Sequence, residues 1–143
     1  MRSRLLCREG LVLRDWFAMP GASDAEIQSL MHQVPFDLPP QYIALLRASN
    51  GGEGPLSVSP LRLCLFDVAF AISQWSHPFY REQFGGYFFF GTSGGGDSVA
   101  LELCEGKTGP VVELDCIAGE ESKQLVAPDF PSFLEFVGGE ARA

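Results

Sequence analysis

The residues of this chain that most readily suggest chemistry are four cysteines, two histidines and one serine set among glycines. The cysteines are Cys7, Cys64, Cys104 and Cys116, and no two of them form a Cys-x-x-Cys pair. With only His32 and His77 to add, no zinc-ligand spacing can be drawn. Cys64, Cys104 and Cys116 sit in apolar stretches, where a free cysteine behaves as a small hydrophobe. A reduced chain in the cytoplasm is the simplest reading. Gly91-Thr92-Ser93-Gly94-Gly95 fits the G-x-S-x-G string of a nucleophile elbow. That elbow needs a strand before the serine, a helix after it and a histidine later in the chain. Here Ser98–Leu103 has strand alternation, and both histidines come earlier. Gly91 and Gly96 have the glycine spacing of a phosphate loop, but Asp97 stands where the lysine belongs, and an aspartate repels phosphate. A tight hairpin turn accounts for the glycines, because they accept positive φ. Carboxylates are numerous, yet none is marked out as an acid and base pair with separated pKa values. A Cys–His pair that meets only in space is the enzymatic arrangement left open. The reading is therefore of no catalytic, metal or cofactor site.

The placement of charge points elsewhere. The chain has 143 residues and a formal net charge of −8. Residues 1–96 carry seven basic and eight acidic side chains, whereas residues 97–140 carry two basic and ten acidic ones. The excess lies in the C-terminal third. Direct nucleic-acid binding needs a basic face and is not expected. A basic protein partner is compatible with this charge, and so is a face that is merely solvated. Met1–Cys7 looks faintly like a lipoprotein cleavage site, but its apolar run is short and Arg8-Glu9 ends it. The longest apolar run elsewhere, around Tyr87–Phe90, cannot span a bilayer.

The elements that must position these residues read as one domain, large enough for a core without staples. Residues 1–20 have weak periodicity, with Leu11, Leu13, Trp16 and Phe17 as apolar anchors. Ser23-Asp24-Ala25-Glu26 is a capping box, and Ile27, Leu30, Met31 and Val34 follow at helical spacing. Leu38-Pro39-Pro40 starts a second helix whose stripe is Tyr42, Ile43, Leu45 and Leu46, and Asn50-Gly51 ends it. Leu61–Leu65 alternates as a strand, and Asp67 caps a short helix that His77-Pro78 breaks. Two hairpins follow, over 86–91, 98–103 and 110–116, with turns at Thr92–Asp97 and Glu105–Pro110. Lys123–Val126 reads as a short edge strand. Asp129-Phe130-Pro131 opens a last helix bearing Phe130, Phe133, Leu134 and Val137. Helices, then a mostly antiparallel sheet, then a helix make an α+β fold.

Three stretches together resemble the SUKH superfamily, which includes the Smi/Knr-type cell-wall regulator of yeast and many bacterial immunity proteins. The first is Leu38-Pro39-Pro40-Gln41-Tyr42 followed by Ser49-Asn50-Gly51-Gly52. The second is Phe90-Gly91 leading into Gly95-Gly96-Asp97-Ser98, and the third is Pro131-Ser132-Phe133-Leu134-Glu135-Phe136. They cover roughly two thirds of the chain. Gln41 departs from the acidic residue common at its position, and residues 1–20 fall outside the pattern as an atypical extension. The resemblance implies a sheet flanked by helices, no cofactor and no known catalytic residues. It implies an antitoxin for members in toxin loci, and a regulatory interaction protein for the yeast-type members.

Two expectations follow. One is an immunity protein whose acidic face receives a basic toxin domain. The other is a regulatory or scaffolding domain with no toxin partner, for which residues 1–20 offer a contact element. The acidic face is expected from Glu102, Glu113 and Asp115, which alternate with apolar residues and should share the outer side of the sheet. Glu105, Glu120 and Glu121 add to it from adjoining loops. Leu38, Pro39, Tyr42, Asn50, Gly51, Gly95, Gly96 and Asp97 are expected to do structural work.

Overall fold

The computed structural model describes residues 3–6 and 12–138, with side chains from Leu13 onward. Cys7 and Leu11 lie outside the described residues. The expected architecture is observed: among the described residues, five helices and a six-stranded antiparallel meander form an α+β fold.

The capping box at Ser23 starts α1 (Asp24–Gln33), with the Ser23 hydroxyl accepting from Glu26 N–H and the Glu26 carboxylate from Ser23 N–H. Ile27, Leu30 and Val34 are buried, but Met31 is turned outward and is 47% exposed. Helix α2 (Pro40–Ala48) buries Tyr42, Ala44, Leu45 and Leu46. The Asp67 carboxylate caps α3 (Val68–Ser76), as expected. Pro78 does more than break that helix. His77 Nδ1 accepts from Phe79 N–H, and Pro78 sits in the first turn of a further short helix, α4 (Pro78–Gln83).

The sheet runs β3 (Glu53–Pro55), β4 (Arg62–Leu65), β5 (Tyr87–Thr92), β6 (Ser98–Cys104), β7 (Lys107–Leu114), β8 (Gln124–Ala127), each paired to the next. Strand β3 follows the Asn50-Gly51 stop of α2. Its glycine at position 54 lies against the Trp16 ring, too close for any side chain. The β6–β7 turn is also shorter than Glu105–Pro110. Glu105 (φ 53°) and Gly106 (φ 77°) alone make it, both left-handed, as the twist of a tight hairpin requires.

In residues 1–20 the described part forms two strands that the weak periodicity did not assign. Strands β1 (Ser3–Leu6) and β2 (Val12–Trp16) form an antiparallel hairpin, and Phe17 bridges Glu53 at the edge of the main sheet. Leu13 and Trp16 are fully buried. Leu13 and Trp16 thus anchor this segment in the core, while Phe17 and Met19 stay exposed.

The sheet is buried on both faces. One face carries Phe88, Phe90, Val99, Leu101 and Val111, and packs against α1, α2, α3 and α5 (Phe130–Leu134). The other carries Tyr87, Phe89, Ala100, Val112 and Leu114, which cluster with Phe84. Helix α4 covers part of this outer face, with Tyr80 against Phe89 at 5.3 Å between ring centroids.

Candidate interaction surfaces

The Leu-Pro…Tyr…Asn-Gly block is a junction between elements. Leu38 is buried, Pro39 is the capping residue of α2, and Tyr42 stands fully buried at the centre of the core. The Tyr42 ring meets Phe88, Phe90 and Phe130 at 5.6–5.9 Å between centroids. Its hydroxyl has no hydrogen-bond partner among the described residues, and burial pushes the phenol far above its ordinary pKa. Ser49, fully buried, accepts from Trp16 Nε1–H at 3.2 Å and Met19 N–H at 3.0 Å, and donates to the Gly51 carbonyl at 2.6 Å. Asn50 accepts from Val68 N–H at the start of α3 and donates to Glu26 in α1. The left-handed turn falls on Gly51 and Gly52, with φ 103° and 99°, rather than on Asn50. Sequence reasoning missed Ser49 and Trp16 as partners, since nothing local pairs residues 33 positions apart.

Above this junction lies an open groove of about 330 Å³. Asn50, Gly51 and Gly52 line it together with Phe17, Met19, Glu53, Leu65 and Asp67. Phe17 and Met19 are 42% and 45% exposed.

Gly95, Gly96 and Asp97 form the expected β5–β6 turn. Ser93 N–H donates to the Asp97 carbonyl, and the Ser93 hydroxyl accepts from Gly95 N–H at 3.1 Å. Strand β6 follows the turn directly, so the strand-to-helix setting of a nucleophile elbow is not formed here. Cys104 is exposed, whereas Cys64 and Cys116 are half-buried with thiols pushed up chiefly by burial.

The six acidic residues do not form one face. Glu113 pairs across from Val99 in β6 and shares its inner side, where it is only 6% exposed. One Glu113 oxygen accepts from the Ser59 hydroxyl at 2.8 Å, and the other has no partner among the described residues. The expectation that Glu113 lies outside fails because β7 is apolar on both sides, so alternation does not say which side is solvent. Glu102 does lie on the outer side, opposite Tyr87. Lys123 binds it at 2.9 Å, and this hydrogen bond holds the ammonium above its ordinary pKa. Glu120 accepts from Tyr87 O–H at 3.2 Å, so residues 115–123 are tied down over the same side. Asp115 turns back to accept from Ile117 and Ala118 N–H. Glu105 and Glu121 are exposed, Glu105 at the β6–β7 turn and Glu121 in the 3-10 turn Glu120–Ser122. Glu102 and Glu120 thus meet over the outer side at Tyr87, Glu121 is exposed in the turn beside Glu120, Asp115 stands at the entry of that loop, and Glu113 is inside.

No helix among the described residues is long and apolar enough to cross a membrane. No curated protein matches the chain. Residues 21–135 match the family described as SMI1 / KNR4 family (SUKH-1), a span that begins after the β1–β2 hairpin and takes in α1 through α5. It contains the Tyr42 core, the Ser49–Gly52 junction and the whole meander, and the chain belongs to that family.

Proposed function

We propose that this chain is a non-catalytic protein-binding domain, and that its partner is a basic protein that it holds inactive, as an immunity protein does a toxin domain. Family membership supports an interaction role. The observation that carries the finer reading is the charge left on the surface by Glu105, Glu120 and Glu121, in a third of the chain with few basic residues. Charges of one sign around a binding face steer an oppositely charged partner, lifting association from ~10⁵–10⁶ toward ~10⁸–10⁹ M⁻¹s⁻¹ at low salt. Glu113 contributes little to such steering, because it is buried and bonded to Ser59.

The test is stopped-flow association with a basic partner recovered by affinity capture from the source cell, or with a toxin domain where a neighbouring gene encodes one. Glu105→Gln, Glu120→Gln and Glu121→Gln together should leave the fold intact and slow association at low salt. The rate should also lose much of its dependence on ionic strength. An unchanged rate at low salt would remove the acidic surface from the reading. A second reading, a regulatory domain without a toxin, is favoured by the apolar pair Phe17 and Met19 at the groove beside Asn50–Gly52. It predicts that Phe17→Ala with Met19→Ala abolishes partner capture while the glutamine variants do not.

A further inference from the structure

We propose that the outer edge of β8 receives an extended, basic segment of the partner as a seventh strand of the sheet. This rests on the protein-binding reading and assigns it a surface. The sheet ends at β8, and among the described residues no third segment makes a backbone hydrogen bond to Gln124–Val126. A free edge of this kind is a template for one more strand.

The side chains at the edge say what kind of strand fits. An apolar row crosses the outer face through Phe89, Ala100, Val112 and Leu125, each paired with the next. The first three are buried, whereas Leu125 is 67% exposed. The row therefore runs out of the protein at the edge, where an incoming apolar side chain would continue it. Ile117, 98% exposed, stands in the loop tied over the same face.

Charge selects the partner. Lys123, next to β8, is engaged by Glu102, so its charge is offset within the domain. Glu121, exposed two residues before it, leaves the entry of the strand acidic, while Glu120 is turned to Tyr87. A second copy of this chain would bring the same acidic loop to the edge and be repelled, as like charges facing each other across strands are. A segment of alternating lysine or arginine and apolar residues meets both needs. The bulge at Val126 limits the straight edge to Gln124–Leu125, so pairing is short and depends on these side chains.

The experiment is an amide NMR titration of the full chain with a short capped peptide of alternating lysine and valine. A peptide of alternating glutamate and valine serves as control. The expected result is shift changes and slowed exchange centred on Gln124–Ala127, with the lysine peptide alone. Leu125→Ser and Glu121→Lys should each weaken binding about tenfold, equivalent to ~1.4 kcal/mol, with unchanged thermal unfolding. Absence of binding, equal binding of both peptides, or shifts centred on the Phe17–Met19 groove would overturn the edge assignment. Titration of the partner used in the stopped-flow test separates the two readings. If wild type binds it and Leu125→Ser binds equally well, the edge is wrong and the protein-binding function stands.

Discussion

Two fully buried hydroxyls show how partnering, rather than polarity, decides the worth of a residue. Ser49 satisfies two donors and one acceptor, the Trp16 indole N–H, the Met19 N–H and the Gly51 carbonyl. Removing its oxygen leaves the Trp16 indole N–H and Met19 N–H without it. An unsatisfied buried donor costs ~1–3 kcal/mol. Ser49→Ala should therefore lower the unfolding free energy by about that much, measured by urea titration. Among the described residues the Tyr42 hydroxyl has no partner to lose. Tyr42→Phe keeps the ring contacts and removes a buried polar atom, so it should leave stability unchanged or raise it by up to ~1 kcal/mol. A loss above that would mean that the hydroxyl is bonded in solution. The sequence marks both positions equally, as polar groups near an apolar stripe. Their difference depends on groups brought from Trp16 and Met19, which no local pattern reports.

At the scale of elements, helices were more legible than strands, because caps are local. Ser23, Asp67 and Asp129 each accept the backbone bond their sequence context implies. Strand alternation showed where β6 and β7 are but not how they face, since the sheet is covered on both sides. That is why Glu113 was misplaced although strands are observed over the expected stretches 98–103 and 110–116. The closing helix α5 gives a direct test. Phe133 is fully buried and meets Phe90 at 5.5 Å and Phe130 at 5.7 Å between ring centroids. Phe133→Ala should cost ~3–5 kcal/mol, and a loss below ~1 kcal/mol would show that α5 is not docked. The cap of α1 gives a pH signature. Bonds from Ser23, the backbone N–H first, hold the Glu26 carboxyl below its ordinary value of 4.5. A depressed folded pKa contributes stability above the unfolded value, and that contribution is lost as pH falls through the folded one. Glu26→Gln should flatten the acid side of the stability profile in that window, while the profile above pH ~5 keeps its shape.

Over the whole molecule, the sequence disclosed the class and the charge, and it missed how the first twenty residues join. Trp16 and Leu13 are separated from their core neighbours by long stretches of chain, and their hairpin lies outside the matched family span. Weak periodicity over a short strand carried no signal of that docking. Charge is legible in another way, because net charge and its distribution along the chain need no fold. The structure adds that Glu113 is buried while Glu105, Glu120 and Glu121 are exposed in the C-terminal third. A chain with net −8 repels itself when compact, and the exposed acids of this region take part in that repulsion. Screening relieves it. The Debye length shortens from ~30 Å at 0.01 M salt to ~8 Å at 0.15 M, so the urea midpoint of the wild-type chain should rise over that range. In the Glu105→Gln, Glu120→Gln, Glu121→Gln variant the midpoint should start higher at low salt and rise less. Glu113→Gln should behave differently. It replaces one buried polar side chain by another and perturbs the bond to Ser59, so its effect should be a loss of stability of similar size at both salt concentrations. If Glu113→Gln instead reproduced the salt behaviour of the triple variant, Glu113 would be acting as a surface charge and its inward placement in β7 would be wrong.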